Sequence, residues 1–332
     1  MLDRRGRPVR DLRVSVTDRC NFRCRYCMPR EHFAAGHEFL PRAQLLSFEE
    51  IARFAGVVAE LGVVKVRLTG GEPLLRADLE RLVAQLTRIP GLEVALTTNG
   101  SLLSRSAQAL ADAGLSRLTV SLDALDPEVF RRMTDADYTP GDVLEGIAAA
   151  ERAGLTRIKI NTVVRRGVND GELLPLARHF QGSGHALRFI EYMDVGGTND
   201  WSRRDVVTAD EIVARIGSEL PLERLEPSAF GEVAERYGYR DGGGEIGVIA
   251  SITKPFCGSC TRLRLSSEGR LYTCLFATQG EDVRERLRAG ATDAELAEFV
   301  AGLWQRREDR YSELRVPERR HLPRIEMSYI GG

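Results

Sequence analysis

Between residues 12 and 195 the chain repeats one pattern: a short run of alternating apolar and polar residues, then a longer stretch with helical spacing. Runs at 12–16, 63–68, 92–96, 117–122, 157–164 and 187–191 predict six strands. Apolar positions three and four residues apart predict helices near 47–61, 74–87, 104–113, 127–133, 142–153 and 172–180. Ser47 with Glu50 forms a capping box that opens the first helix, and Gly62 closes it. Six strand–helix repeats of this spacing predict a parallel sheet curled into a partial (β/α)6 TIM-like barrel, two units short of the eightfold form.

The stretch 195–204 is rich in Gly, Asn and Asp, and the alternation stops there. The expected division is a barrel over 1–200 and a C-terminal region over 201–332. That region reads as an α+β extension. It has a short helix near 210–216, hairpin-like flanks around Gly238, Gly242, Gly243, Gly244 and Gly247, and helices near 282–288 and 293–306. No apolar run is long enough to span a bilayer, and residues 1–10 are charged rather than signal-like. The expectation is a cytoplasmic protein that avoids membranes and keeps its thiols reduced.

A net charge of −1 argues against a broad nucleic-acid-binding face. Only three of the 47 basic side chains are lysine: Lys65, Lys159 and Lys254. Where arginine is the default, a retained lysine suggests a need for a compact ammonium.

The six cysteines fall into two triplets. Cys20, Cys24 and Cys27 follow the first strand in a C-x3-C-x2-C spacing. A four-iron cube needs four ligands, so three cysteines leave one iron open to a ligand that is not protein. Cys257, Cys260 and Cys274 repeat the arrangement near the C-terminus, with no histidine before His321. For the first triplet the alternatives are a disulfide or a structural zinc site, although His32 and His37 follow without finger-like spacing; for the second, a zinc site completed from elsewhere in the fold. Alternation places Arg262 and Arg264 on one strand face beside the second triplet, where paired guanidiniums could grip an anion. A solvated hairpin edge is the plain alternative. None of the three lysines follows a glycine, so there is no Walker-type loop, and a nucleotide is expected at the barrel mouth.

The run from Ser15 to Cys27 resembles the signature of the radical S-adenosylmethionine enzymes, and Thr69-Gly70-Gly71-Glu72-Pro73 is similar to their Gly-Gly-Glu-Pro motif. The resemblance narrows with Pro255-Phe256-Cys257 through Cys274-Leu275-Phe276, Ser121-Leu122-Asp123, the runs 161–170 and 188–194, and the terminal Gly331-Gly332. Over almost its whole length the chain resembles the GTP 3′,8-cyclases that begin molybdenum-cofactor biosynthesis. One departure is Thr261, where family members often carry asparagine.

The resemblance implies two [4Fe-4S] clusters, one on Cys20, Cys24 and Cys27 and one on Cys257, Cys260 and Cys274, with S-adenosyl-L-methionine as cofactor. It implies that Tyr26, Gly71, Ser121 and Met193 line the S-adenosylmethionine site. It implies that Arg13, Arg67, Thr97, Lys159, Arg262 and Arg264 contact GTP, and that Arg262 or Arg264 acts in the final reduction. The implied partners are an external electron donor and a downstream cyclic pyranopterin monophosphate synthase; a homodimer is compatible with the sequence. In the family the Gly-Gly tail enters the active site, whereas sequence alone favours a frayed terminus. A peptide-modifying radical enzyme and a non-catalytic iron–sulfur carrier are the rival readings. The first usually has a longer C-terminal cysteine array, and the second needs neither a barrel nor converging cations.

Overall fold

The computed structural model describes residues 1–34, 36–315 and 324–331, so His321 and Gly332 lie outside the described residues. Six strands, β1 (Asp11–Ser15), β2 (Lys65–Thr69), β3 (Glu93–Thr98), β4 (Arg117–Ser121), β5 (Lys159–Val164) and β6 (Ala186–Glu191), fall on the six expected runs. Between and after them lie α1 (Phe48–Glu60), α2 (Leu79–Leu86), α3 (Leu103–Asp112), α4 (Pro127–Thr134), α5 (Pro140–Arg152) and α6 (Leu173–Phe180). The capping box of Ser47 and Glu50 is formed in full. The helix expected from residue 74 starts only at Leu79. Arg76 leaves the helical path to donate to the carbonyls of Val16 and Leu46, both at 2.6 Å, and Asp78 takes left-handed backbone.

Beyond residue 200 come α7 (Ala209–Gly217), β7 (Leu222–Leu225), β8 (Glu235–Tyr239), β9 (Glu245–Ile249), β10 (Arg262–Leu265), β11 (Arg270–Tyr272) and β12 (Glu281–Asp282). Four helices follow: α8 (Arg284–Arg288), α9 (Asp293–Gln305), α10 (Tyr311–Leu314) and α11 (Met327–Ile330). The expected hairpins exist, but two of their strands do more. β10 pairs parallel with β1, and β9 pairs parallel with β6. The parallel run is therefore β10-β1-β2-β3-β4-β5-β6-β9, inside one twelve-stranded sheet with antiparallel strands at both edges.

The period-two pattern now has a physical meaning. Leu12, Val14, Val66, Leu68, Val94, Leu96, Val120, Ile160, Phe189, Val248 and Leu263 are buried in the apolar core, which the flanking helices share. Burying each such side chain stabilises the fold by about 1.5–3 kcal/mol. The alternate positions face the other way. In register they set Arg264 beside Arg13 and Arg13 beside Arg67, then Thr97 beside Thr119 and Thr119 beside Lys159. A sheet with an apolar outer face and a cationic inner face directs its chemistry inward.

Candidate active site

The loop with Cys20, Cys24 and Cys27 leaves the carboxyl end of β1 and packs against the turn that leaves β2. The two glycines of that turn are dictated by protein contact. A Cβ on Gly71 would lie 2.1 Å from the carbonyl oxygen of Arg19, and one on Gly70 would lie 2.4 Å from that of Thr17. The closeness allows Gly71 N–H to donate to Thr17 and Glu72 N–H to donate to Arg19, both at 2.8 Å. Glu72, 1% exposed, accepts from Thr98 Oγ1 and Asn99 N, each at 2.7 Å, and from Leu74 N at 3.0 Å. Burial raises its carboxyl to about 7 against the pull of those donors. Tyr26 donates its hydroxyl to Asp123 at 2.8 Å, and Asp123 also accepts from Val163 N at 2.9 Å.

Cys20, Cys24 and Cys27 line a cavity of about 200 Å³ together with Tyr26, Gly71, Ser121, Asp123 and Met193. A second cavity, of about 180 Å³, is lined by Cys257, Cys260 and Cys274 with Arg13, Arg67, Lys159, Arg188, Arg262 and Arg264. The two meet, because Thr97, Asn161, Ile190 and Met193 line both. Cys260 precedes β10, which runs parallel to β1, whereas Cys20 follows β1. The triplets therefore occupy opposite ends of one channel through the inner face of the sheet. The cations line that interior.

The cations crowd one another. Arg67 donates to Thr97 and Thr119, both at 3.0 Å. Burial, opposed in part by Asp11, lowers Arg67 to about 10. Burial and then Arg188 lower Lys159 to about 7. Burial and then Arg262 lower Arg264 to about 9. Lys65 pairs with Asp11, and Lys254 pairs with Asp210 and Glu235. Lys159 alone among the lysines lines the channel. A cavity lined by this much like charge is built to receive an anion.

The C-terminal segment also reaches the channel. Glu326 accepts from Gly197 N at 2.8 Å and Thr198 Oγ1 at 3.0 Å, and Arg324 donates to the Asp194 carbonyl at 2.6 Å. Met327 and Ser328 line the first cavity, and Arg264 donates to the carbonyl of Gly331. The described part of the tail is thus docked, not frayed.

The donor sets fit clusters. All six thiols are free, and neither cavity lining includes a histidine or a fourth cysteine. Among the described residues no three His, Cys, Asp or Glu side chains converge to hold a single metal ion. Three thiols at each end of the channel suit an iron–sulfur cube with one open corner.

Two family models match the chain. Residues 14–180 match the Radical SAM superfamily, and residues 185–313 match the family Molybdenum Cofactor Synthesis C. A GTP 3′,8-cyclase of Acidothermus cellulolyticus is 56% identical, covering 99% of this chain and 98% of its own. The chain belongs to the GTP 3′,8-cyclase family. Other cyclases of that name, from Xanthomonas axonopodis pv. citri and Staphylococcus aureus, are 51% and 48% identical at similarly full coverage. Among solved structures, Streptococcus suis SuiB bound to S-adenosylmethionine superposes with a TM-score of 0.61 at 16% identity, covering 88% of this chain and 68% of that one. At that identity the likeness concerns the fold alone.

The six cysteines and each residue expected to contact S-adenosylmethionine or GTP line one of the two cavities. Asn161, Arg188 and Arg307 also line these cavities, and none of them has an expected site role. Alternation from Lys159 and from Ile190 would have placed Asn161 and Arg188 on the inner face. No local signal marks Arg307.

Proposed function

We propose that this chain converts GTP to (8S)-3′,8-cyclo-7,8-dihydroguanosine 5′-triphosphate, the first step of molybdenum-cofactor biosynthesis. The observation that carries the reading is the single channel with a cysteine triplet at each end and cations between them. Bound there, the clusters and S-adenosylmethionine supply a 5′-deoxyadenosyl radical at one end, for hydrogen abstraction from ribose C3′, and an open iron for the purine at the other. Cys20, Cys24 and Cys27 hold the first cluster, and Cys257, Cys260 and Cys274 hold the second.

Tyr26, Gly71, Ser121 and Met193 contact S-adenosylmethionine. The hydroxyl bond from Tyr26 to Asp123 fixes the ring orientation, leaving one face for an adenine. Arg13, Arg67, Thr97, Lys159, Arg262 and Arg264 contact GTP, with Arg188 as a further cation in reach of the triphosphate. Arg262 and Arg264 fix the substrate against the second cluster, and one of them supplies the charge or proton for the final reduction. The depressed Lys159 regains its proton when the triphosphate arrives.

No helix among the described residues is long and apolar enough to cross a membrane. The proposed setting is the cytoplasm, with an external electron donor, a downstream cyclic pyranopterin monophosphate synthase as recipient, and a homodimer as the assembly to test.

The decisive experiment measures 5′-deoxyadenosine formation by anaerobically reconstituted, reduced protein with GTP, with ATP and with no nucleotide. Stimulation by GTP alone, with a product of the mass of the cyclised triphosphate, is the expected result. Cleavage indifferent to nucleotide would point to the peptide-modifying class instead.

A further inference from the structure

The second cysteine triplet is braced by charges that none of the roles above uses. Arg307 has a side chain 1% exposed, and its Nη1 donates to the carbonyl of Cys260 at 2.8 Å. The same guanidinium lies 3.4 Å from Asp3 on one side and 3.4 Å from Asp309 on the other, and it stacks over Trp304. Arg7, also buried, closes the frame. Its Nε contacts Asp3 at 2.5 Å, while Nη1 donates to the carbonyls of Cys257 at 2.8 Å and Asp309 at 2.7 Å. The indole of Trp304 donates to the Arg7 carbonyl at 3.1 Å.

Two arginines therefore hold the main-chain carbonyls of two of the three cysteines, and Arg307 also lines the cavity. A frame made only for stability has no need of this arrangement, because buried ion pairs roughly offset their own desolvation. Two nitrogens of the frame, Arg7 Nη2 and Arg307 Nε, are buried without a hydrogen-bond partner. A buried donor is costly to leave unsatisfied. Even so, Arg307 turns Nη1 to the Cys260 carbonyl, which keeps its guanidinium beside that cysteine.

We infer that Arg307, locked by Asp3 and Arg7, is a positioning residue for the second cluster: it fixes the Cys257–Cys260 turn and holds a positive charge beside Cys260 that sets the reduction potential of the cluster. The potential of an iron–sulfur centre follows nearby charge and hydrogen bonding. A fixed cation favours the reduced, more negative form. The inference rests on the proposed assignment of Cys257, Cys260 and Cys274 as ligands.

The test uses the full chain with Cys20, Cys24 and Cys27 changed to Ala, so that only the second cluster reports. This parent should hold roughly four irons; a parent without iron overturns the ligand assignment and this inference with it. The midpoint is then followed by electron paramagnetic resonance in a redox titration, and melting is measured in parallel. Arg307→Gln should move the midpoint to a more negative value, with Arg307→Lys between it and the parent. A role confined to bracing the fold would lower the melting temperature and leave the midpoint where it was, and that result overturns the proposal. Should Arg307→Gln fail to hold a cluster, Arg307→Lys decides. Its shorter reach draws the charge away from Cys260, and an unmoved midpoint there also overturns the proposal.

Discussion

Arg264 donates to the main-chain carbonyl of Gly331, so a fully buried guanidinium at the second cavity is engaged by the chain's own tail. An incoming triphosphate or purine competes with that carbonyl or is completed by it. Arg264→Ala should leave uncoupled S-adenosylmethionine cleavage measurable. Cyclised product should fall on the order of a hundredfold, for about 3 kcal/mol of lost charge-assisted hydrogen bonding. Mass spectrometry of both products checks this; full product yield would remove Arg264 from the substrate site.

Gly331 has φ of +72°, and a Cβ there would sit 2.4 Å from the methyl of Thr69. Gly331→Ala therefore meets both left-handed strain, about 1–2 kcal/mol, and a clash. Product formation should drop roughly tenfold. Adding Thr69→Ser, which removes the offending methyl, should recover part of the loss. No recovery would mean that the tail does not seat against β2 during turnover.

Lys159 sits at about 7, against an ordinary 10.5. Its folded value is depressed, so in the empty protein the penalty is full below about pH 7 and is relieved as pH rises toward 10.5. Nucleotide binding reverses the sense, because the triphosphate stabilises the ammonium. Affinity for GTP should fall as pH rises from 7 to 9, with proton uptake seen calorimetrically as a buffer-dependent heat. Lys159→Arg should flatten that dependence; an equally steep profile in the variant assigns the proton elsewhere.

Gly71→Ala would drive a methyl into the Arg19 carbonyl. Overpacking of this kind costs about 1–3 kcal/mol and here must be absorbed by the cysteine loop. Iron content should fall by about half after reconstitution, with 5′-deoxyadenosine formation lost, since only the first triplet is displaced. Retention of full iron would show that the loop has slack to give.

Tyr26→Phe keeps the ring but leaves Asp123 without one of its donors in a buried setting. The expected result is a loss of about 1–3 kcal/mol in thermal or denaturant stability, with a few-fold rise in KM for S-adenosylmethionine and kcat little changed. Tyr26→Ala should abolish cleavage. Equal behaviour of the two variants would separate the ring from adenine binding.

The six central strands could be read because each carries its own alternation: Leu12 and Val14 face outward while Arg13 faces inward, and the same holds around Arg67 and Lys159. The flanking strands could not. β9 forms the expected hairpin with β8, yet its other edge belongs to β6, and β10 joins β1 across most of the chain. A local pattern does not carry such pairings. Nor could the frame around Arg307 be foreseen. Asp3 and Arg7 sit in a charged N-terminal stretch that reads as solvated, and Arg7 meets the Asp309 carbonyl 302 residues away. Gly70 and Gly71 stand out in the sequence as a motif, but their contacts with Thr17 and Arg19 come only with the fold.

The placement of β10 beside β1 also fixes an order of events at birth. Asp11 waits for Thr261, 250 residues later, before that flank of β1 is covered. At 5–20 residues per second the delay is roughly 10–50 s. For that interval the strand leading to the first cysteine triplet keeps an open edge. The first three thiols emerge at the start of that interval and the last three only around its end.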